Sequence, residues 1–289
     1  MRYFYLLIFI ISSLRAFNVE IPKAEVSNGR TAILIFKKEQ NIKYKKLVVG
    51  KRSYKIFTHP TDSKKLYALL PESYYKKPAT QEVKVVYIKD KKSMSKTLLF
   101  KVVDGKYKKE TIHVQKSKVN PRSKKVKQRT AREYAQAMKI YGRATPKNYA
   151  TTPYIVPLNS KITSDFGKAR VYNDTLKGYH SGTDFRAKMG TPIIASNDGK
   201  VVLATNRFYS GNSIIIDHGQ GIYTCYYHLS KFKTKKGDMV KKGEVIGLSG
   251  DTGRITGPHL HFSARVGGLQ VDPLQLVKLL NKNLYGEKI

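Results

Sequence analysis

A single cysteine, Cys225, excludes any disulfide within the chain. It lies in the β-type run of residues 222–227, where a buried structural thiol is expected rather than a nucleophile. Acidic residues are scarce as well: 20 Asp and Glu stand against 55 Lys and Arg, a net charge of +35. Nucleic acid and anionic envelope polymers both suit that balance, and charge alone does not choose between them. No apolar run approaches the ~20 residues that a membrane-spanning helix needs. No internal repeat is evident, and no Ser or Cys sits in a nucleophile elbow. What remains is a composition that can fold: 40% apolar and 11% aromatic, with 20 Tyr among 289 residues.

The N-terminus bears on the choice of partner. Met1-Arg2 is a basic start, residues 3–11 are almost wholly apolar, and Ala16 offers a small residue before a cut. This is the plan of a secretory signal over residues 1–16. Arg15, so near the cut, leaves an uncleaved anchor as the alternative. Export argues against nucleic acid as the main partner and for an anionic polymer outside the cytoplasm. After signal cleavage no stable membrane insertion is expected.

The rest of the chain reads as mainly β. Residues 17–115 hold short apolar stretches, such as 31–36, 82–88 and 96–103, separated by polar Lys-rich turns. They predict a small antiparallel β-sandwich. Residues 116–153 read as a basic linker with one helix: seven Lys or Arg and no acid between 116 and 129, then helix formers at 130–138. Residues 154–289 turn to Gly, Thr, Ile and Val, with strands expected at 191–195, 200–204 and 213–217. Glycine-rich turns punctuate them, and a closing amphipathic helix is expected at 274–280.

Chemistry concentrates in this last part. Of seven histidines, four fall in one set: His180 with Asp184 as H-x-x-x-D, then His228, then His259 and His261 as H-x-H. Imidazoles and a carboxylate are what a catalytic zinc site with an open position needs. In a strand, His259 and His261 share a face and Leu260 points into the core. Gly182 would let the backbone turn between His180 and Asp184. His228 could face the same cleft from a neighbouring strand. His59 and His113 are expected to be structural or surface groups, and His218 is expected to be structural.

Residues 162–273 strongly resemble the M23 peptidases, the lysostaphin- and LytM-like zinc metallopeptidases of bacterial cell walls. The matching stretches include Thr163-Ser164-Asp165-Phe166-Gly167, Tyr179-His180-Ser181-Gly182-Thr183-Asp184-Phe185, Tyr227-His228-Leu229-Ser230 and Gly257-Pro258-His259-Leu260-His261-Phe262. The resemblance implies a LytM-like antiparallel β catalytic domain and one Zn2+ per chain, held by His180, Asp184 and His261. It implies that His228 and His259 flank the water as general base and as stabiliser of the oxyanion, without saying which takes the proton. The substrate it implies is peptidoglycan in a Gram-negative periplasm, cut at the D-alanyl–meso-diaminopimelate cross-link by D,D-endopeptidase action. A D,D-carboxypeptidase would use the same five residues. A non-catalytic activator of cell-wall amidases is a further alternative, although such proteins usually lack several of the five. A lipoyl-like carrier turn at 241–247 has no fitting lysine. The N-terminal half could cover the groove and hold the enzyme latent.

Overall fold

The computed structural model describes residues 19–112, 123–172 and 176–287. The signal expected at 1–16, His113 and the basic residues 116–122 lie outside the described residues.

The N-terminal half is a two-sheet sandwich. Strands β1 (Thr31–Lys37) and β2 (Lys65–Pro71) pair antiparallel at the centre of a four-stranded sheet. The facing sheet has five strands, built on the long hairpin of Ala79–Lys89 and Lys92–Val103. Glu25–Ser27 joins that sheet in parallel, so the arrangement is not purely antiparallel. This short strand reaches its partner across the sandwich and not through a hairpin, so no tight turn imposes its direction.

Alternation along β1 and β2 explains why the run at 31–36 is continuously apolar. Ala32, Leu34, Phe36, Ala68 and Leu70 fill the sandwich core with Leu47, Val83, Val85 and Phe100. Ile33, Ile35, Tyr67 and Leu69 point the other way. They meet Ile222, Ala264, Val266, Val271 and Leu280, all from the C-terminal half. A strand buried on both faces needs apolar residues at every position. The two halves therefore share one core.

Strand β3 (Lys109–Ile112) leaves the sandwich and pairs in parallel with a later strand, described below. Helix α1 (Lys124–Tyr141) begins well before the expected 130–138. Its first turns use Lys, Arg and Gln, all good helix formers, so the basic stretch is helical where it is described. The helix is packed down: Ala137 and Tyr141 are buried against Leu203, Ile215, Tyr223 and Cys225. The Glu133 carboxylate pairs with Arg129 at 2.7 Å and accepts from the Phe208 amide at 2.9 Å.

The C-terminal half is organised on a ten-stranded sheet. Beside it, β4 (Ala169–Tyr172) and β5 (Leu176–Tyr179) form a small antiparallel pair, with β3 on the outer side of β4. In the large sheet, β6 (Thr183–Arg186) is hydrogen-bonded to β10 (His259–Val266). Next come β9 (Ile222–Phe232), β8 (Gly211–Asp217) and β7 (Gly199–Arg207), all antiparallel. Helix α2 (Pro273–Leu284) closes the fold, capped by Asp272, which accepts from the amides of Leu274 and Gln275. Among the described residues, no helix is long and apolar enough to cross a membrane.

Candidate metal centre and its flanking histidines

Strand β10 is the spine of the site. Its even-numbered residues, from Leu260 to Val266, are buried in the cores, which turns His259 and His261 to the opposite face. Register then assembles the neighbours. Asp184 on β6 stands opposite His261, and Tyr227 on β9 stands opposite it on the other side. Directly paired residues share a face, so Asp184, His261 and Tyr227 form one row across three strands. The Tyr227 ring lies nearly parallel to that of His261, at 5.5 Å and 10°.

His180 follows β5 and enters the row from the sheet edge. Its Nε2 lies 2.9 Å from Asp184 Oδ1 and 3.0 Å from His261 Nδ1. His261 Nδ1 is 2.8 Å from the same Asp184 oxygen. All three side chains are buried. Gly182, between His180 and Asp184 in sequence, sits in the bend that leads into β6 and also allows close approach. A Cβ there would collide with the Phe262 carbonyl and lie 2.6 Å from His261 Nε2.

His228 reaches the cleft through an irregularity. Plain alternation would put it on the same core-facing side as Tyr226. Ser213 on β8 stands against both Tyr227 and His228, because Asn212 pairs with Leu229 and Ile214 with Tyr226. His228 absorbs this bulge at φ +62°, a conformation rare for histidine. Its ring comes to 5.1 Å from that of His259 and 6.0 Å from that of His261. Thus the structure brings all five residues together, and His259 Nε2 is 3.5 Å from Asp184 Oδ1.

The hydrogen bonds decide which nitrogens face inward. His180 Nδ1 donates to the Asp165 carbonyl at 2.8 Å, His228 Nδ1 to that of Thr252 at 2.7 Å, and His259 Nδ1 to that of Gly257 at 2.9 Å. A carbonyl only accepts, so each of these nitrogens carries the proton, and each Nε2 is left for the cleft. A neutral His180 then turns a lone pair on the Asp184 carboxylate at 2.9 Å. Two facing acceptors repel unless a positive centre lies between them. Two imidazole nitrogens and one carboxylate oxygen, converging this way, suit zinc.

Electrostatics agree with the roles. Burial works to raise the Asp184 pKa, but the adjoining imidazoles of His180 and His261 outweigh it and hold the carboxyl far below its ordinary range. Burial pushes His261 down to about 4, against the pull of Asp184. Burial also pushes His228 down to about 3, helped by the neighbouring His261.

The remaining expectations sort cleanly. His218 is fully buried away from the centre, between the Asp198 carbonyl and Thr224 Oγ1. Cys225 is buried beneath Tyr141, and burial raises its thiol pKa. His59 is buried and bonded to the Asn283 carbonyl. Tyr227, Arg170, Tyr209 and Arg254 also line the cleft, and sequence reasoning gave them no role. Every lining residue lies between 170 and 261, and Tyr74 from the N-terminal half stacks on one of them, Tyr179.

Comparison with known proteins now adds to the geometry. Residues 178–273, about a third of the chain, match the family described as Peptidase family M23. Peptidoglycan DD-endopeptidase ShyA of Vibrio cholerae is 46% identical over 122 residues, covering 41% of this chain and 28% of that protein. DD-carboxypeptidase/endopeptidase Mpg of Neisseria meningitidis is 45% identical over 97 residues, covering 34% of this chain and 22% of that protein. The matched part thus spans under a third of those relatives' length. A solved structure from Pseudomonas aeruginosa, named for peptidase M23, superposes with a TM-score of 0.65 at 24% identity, covering 87% of this chain and 94% of that one. That likeness reaches beyond the matched domain and shows a shared fold for most of the chain. The row of Asp184, His261 and Tyr227, with His180 at its edge, thus lies within the stretch that matches Peptidase family M23.

Proposed function

We propose that this protein is an exported zinc endopeptidase that hydrolyses peptide cross-links of peptidoglycan, at the bond between D-alanine and meso-diaminopimelate. The observation that carries the reading is the convergence of three atoms able to ligate a metal, from His180, Asp184 and His261, beside two further imidazoles whose Nε2 atoms face the same cleft. Zinc held there supplies an electrophile for the scissile carbonyl and lowers the pKa of a water toward about 7. His228, buried and neutral, is suited to take the proton of the attacking water at Nε2 and pass it to the leaving amine. Its Nδ1–H bond to Thr252 keeps that lone pair aimed and helps carry the positive charge as it forms. His259 Nε2, across from it, is suited to stabilise charge on the carbonyl oxygen. Reaction proceeds without a covalent enzyme intermediate, in keeping with the lack of a nucleophile elbow.

Arg170 and Arg254 line the cleft, and the overall charge of +35 favours encounter with carboxylate-bearing stem peptides. The names of the relatives from Vibrio cholerae and Neisseria meningitidis support this substrate class. Digestion of purified sacculi, with products identified by mass, tests it. Cross-linked dimers should fall and monomers rise. Loss of terminal D-alanine from pentapeptides alone would replace the endopeptidase reading with the carboxypeptidase one. Intact sacculi with zinc bound would end both.

A further inference from the structure

The Asp184 carboxylate has two oxygens, and the second is not facing the histidines. Oδ2 lies 3.4 Å from Arg170 Nη2, and the same Nη2 is 3.2 Å from Ser164 Oγ. Arg170 is held in turn by Glu110, whose Oε2 accepts from Arg170 Nε at 3.1 Å. Lys168 lies 3.8 Å from the other oxygen of Glu110. The side chains grow more buried along this line, from 29% exposed at Glu110 to 14% at Arg170 and 9% at Asp184. Glu110 comes from the N-terminal half, sixty residues before its partner.

The backbone delivers it in register. Strand β3 pairs in parallel with β4, with Glu110 directly beside Arg170. The chain ahead of β3 is tied down: the Gly105 amide donates to Asn28 Oδ1 at 2.8 Å, and Tyr107 Oη donates to the Asn28 carbonyl at 2.6 Å. The Ala169 amide then donates to the Lys108 carbonyl, and the His180 amide to that of Lys168, both at 2.8 Å. One short run of backbone bonds thus links the end of the sandwich to a ligand histidine.

We propose that Glu110 is a positioning residue for the metal centre. It holds the Arg170 fork so that one edge grips Ser164 and Asp184 Oδ2, which fixes the rotamer that presents Oδ1 to His180 and His261. It also offsets a charge. Arg170 and Lys168 beside the centre would otherwise oppose a divalent cation and draw electron density from its carboxylate ligand. Groups that orient a ligand in this way commonly change metal affinity by about 10–100-fold. In a chain with 20 acids against 55 bases, the carboxylate that holds Arg170 Nε comes from outside the matched stretch 178–273.

The inference rests on His180, Asp184 and His261 being zinc ligands, and the experiment separates the two. Zinc dissociation constants are measured on the full chain by competition with a chromogenic chelator, together with thermal unfolding of the metal-free protein and kcat and KM on cross-linked muropeptides. Glu110→Gln should weaken zinc about tenfold while leaving metal-free unfolding within a few degrees of wild type. Glu110→Asp, which keeps the charge, should fall between the two. A Glu110→Gln constant within twofold of wild type would overturn the inference. So would a lowered unfolding temperature with unchanged zinc affinity, which marks a purely structural tie. A raised KM with unchanged zinc affinity would also overturn it, marking Arg170 as a substrate anchor. Wild-type protein that takes up no zinc would remove the metal site and this inference with it.

Discussion

Strands β1 and β10 follow the same alternation, yet they spend their two faces differently. In β1, Ala32, Leu34 and Phe36 enter one apolar core while Ile33 and Ile35 enter another. In β10, Leu260 and Phe262 enter a core, while His259, His261 and Ser263 occupy the other face. His261 and Ser263 are as buried as most apolar neighbours. A buried polar group must find partners or cost free energy. Ser263 finds an ordinary one in Gln270. The row of His180, Asp184 and His261 instead turns three atoms able to ligate a metal on one point, and that marks the difference between packing and chemistry. One face of β1 can be read as stability alone, whereas the His261 face of β10 holds a charge distribution that suits a cation.

The largest effect should come from splitting the H-x-H pair. His261→Ala removes one of the three proposed ligand atoms and should abolish both zinc retention and hydrolysis. His259→Ala should keep most of the zinc and lose roughly 10²–10⁴-fold in rate, the usual scale for a lost proton-transfer or charge-stabilising group. Metal content by elemental analysis, set beside sacculus digestion, reads both. Equal zinc loss in the two variants would show that the ligand assignment is wrong.

A sequence alone carried much of this contrast. The H-x-H pair was legible because alternation is local, and β10 obeys it. His180 and Asp184 were legible by type and spacing, and Gly182 between them both bends the backbone and admits the close approach of His261. The position of His228 depended on a bulge against Ser213, which no local pattern in 222–232 announces. Tyr227 and Arg170 could not be singled out, since their value comes from strand register across distant segments. Glu110 is the extreme case, because only parallel pairing of β3 with β4 brings it near the site. The α1 helix began earlier than expected for a related reason: its basic first turns are helix formers, and its Glu133 and Tyr141 contacts fix it to the C-terminal sheet.

The comparison also makes a prediction about unfolding. Leu34 lies in the sandwich core and Leu280 in the core shared by the two halves, and both are fully buried. Replacing either by Ala should cost about 2–5 kcal/mol. Because one core joins the halves, both variants should shift a single calorimetric transition, each by about 3–8 °C. Two separate transitions, with Leu34→Ala moving only one, would show that the sandwich melts independently of the peptidase domain. Zinc content per folded molecule should stay at the wild-type level in Leu34→Ala.

The smallest predicted effect concerns a histidine outside the site, and its sign distinguishes a structural imidazole from a catalytic one. Burial pushes His218 from its ordinary 6.5 down to about 4, against the pull of the Asp198 carbonyl and carboxylate. Its Nδ1 donates to the Asp198 carbonyl, and its Nε2 accepts from Thr224 Oγ1, so a second proton would require the Thr224 hydroxyl to turn from donor to acceptor. The folded state therefore binds that proton less readily than the unfolded chain. Its stabilising contribution is whole above pH 6.5 and is lost as pH falls to about 4, a difference of about 3 kcal/mol. Other buried histidines titrate in the same direction, so wild type alone cannot assign the slope. His218→Gln keeps a polar side chain without a titrating group and leaves His228 and His261 in place. Urea unfolding at saturating zinc, repeated from pH 7 to pH 4, should give a variant curve flatter than wild type by about that amount. Parallel curves would show that His218 does not carry the pH dependence assigned to it.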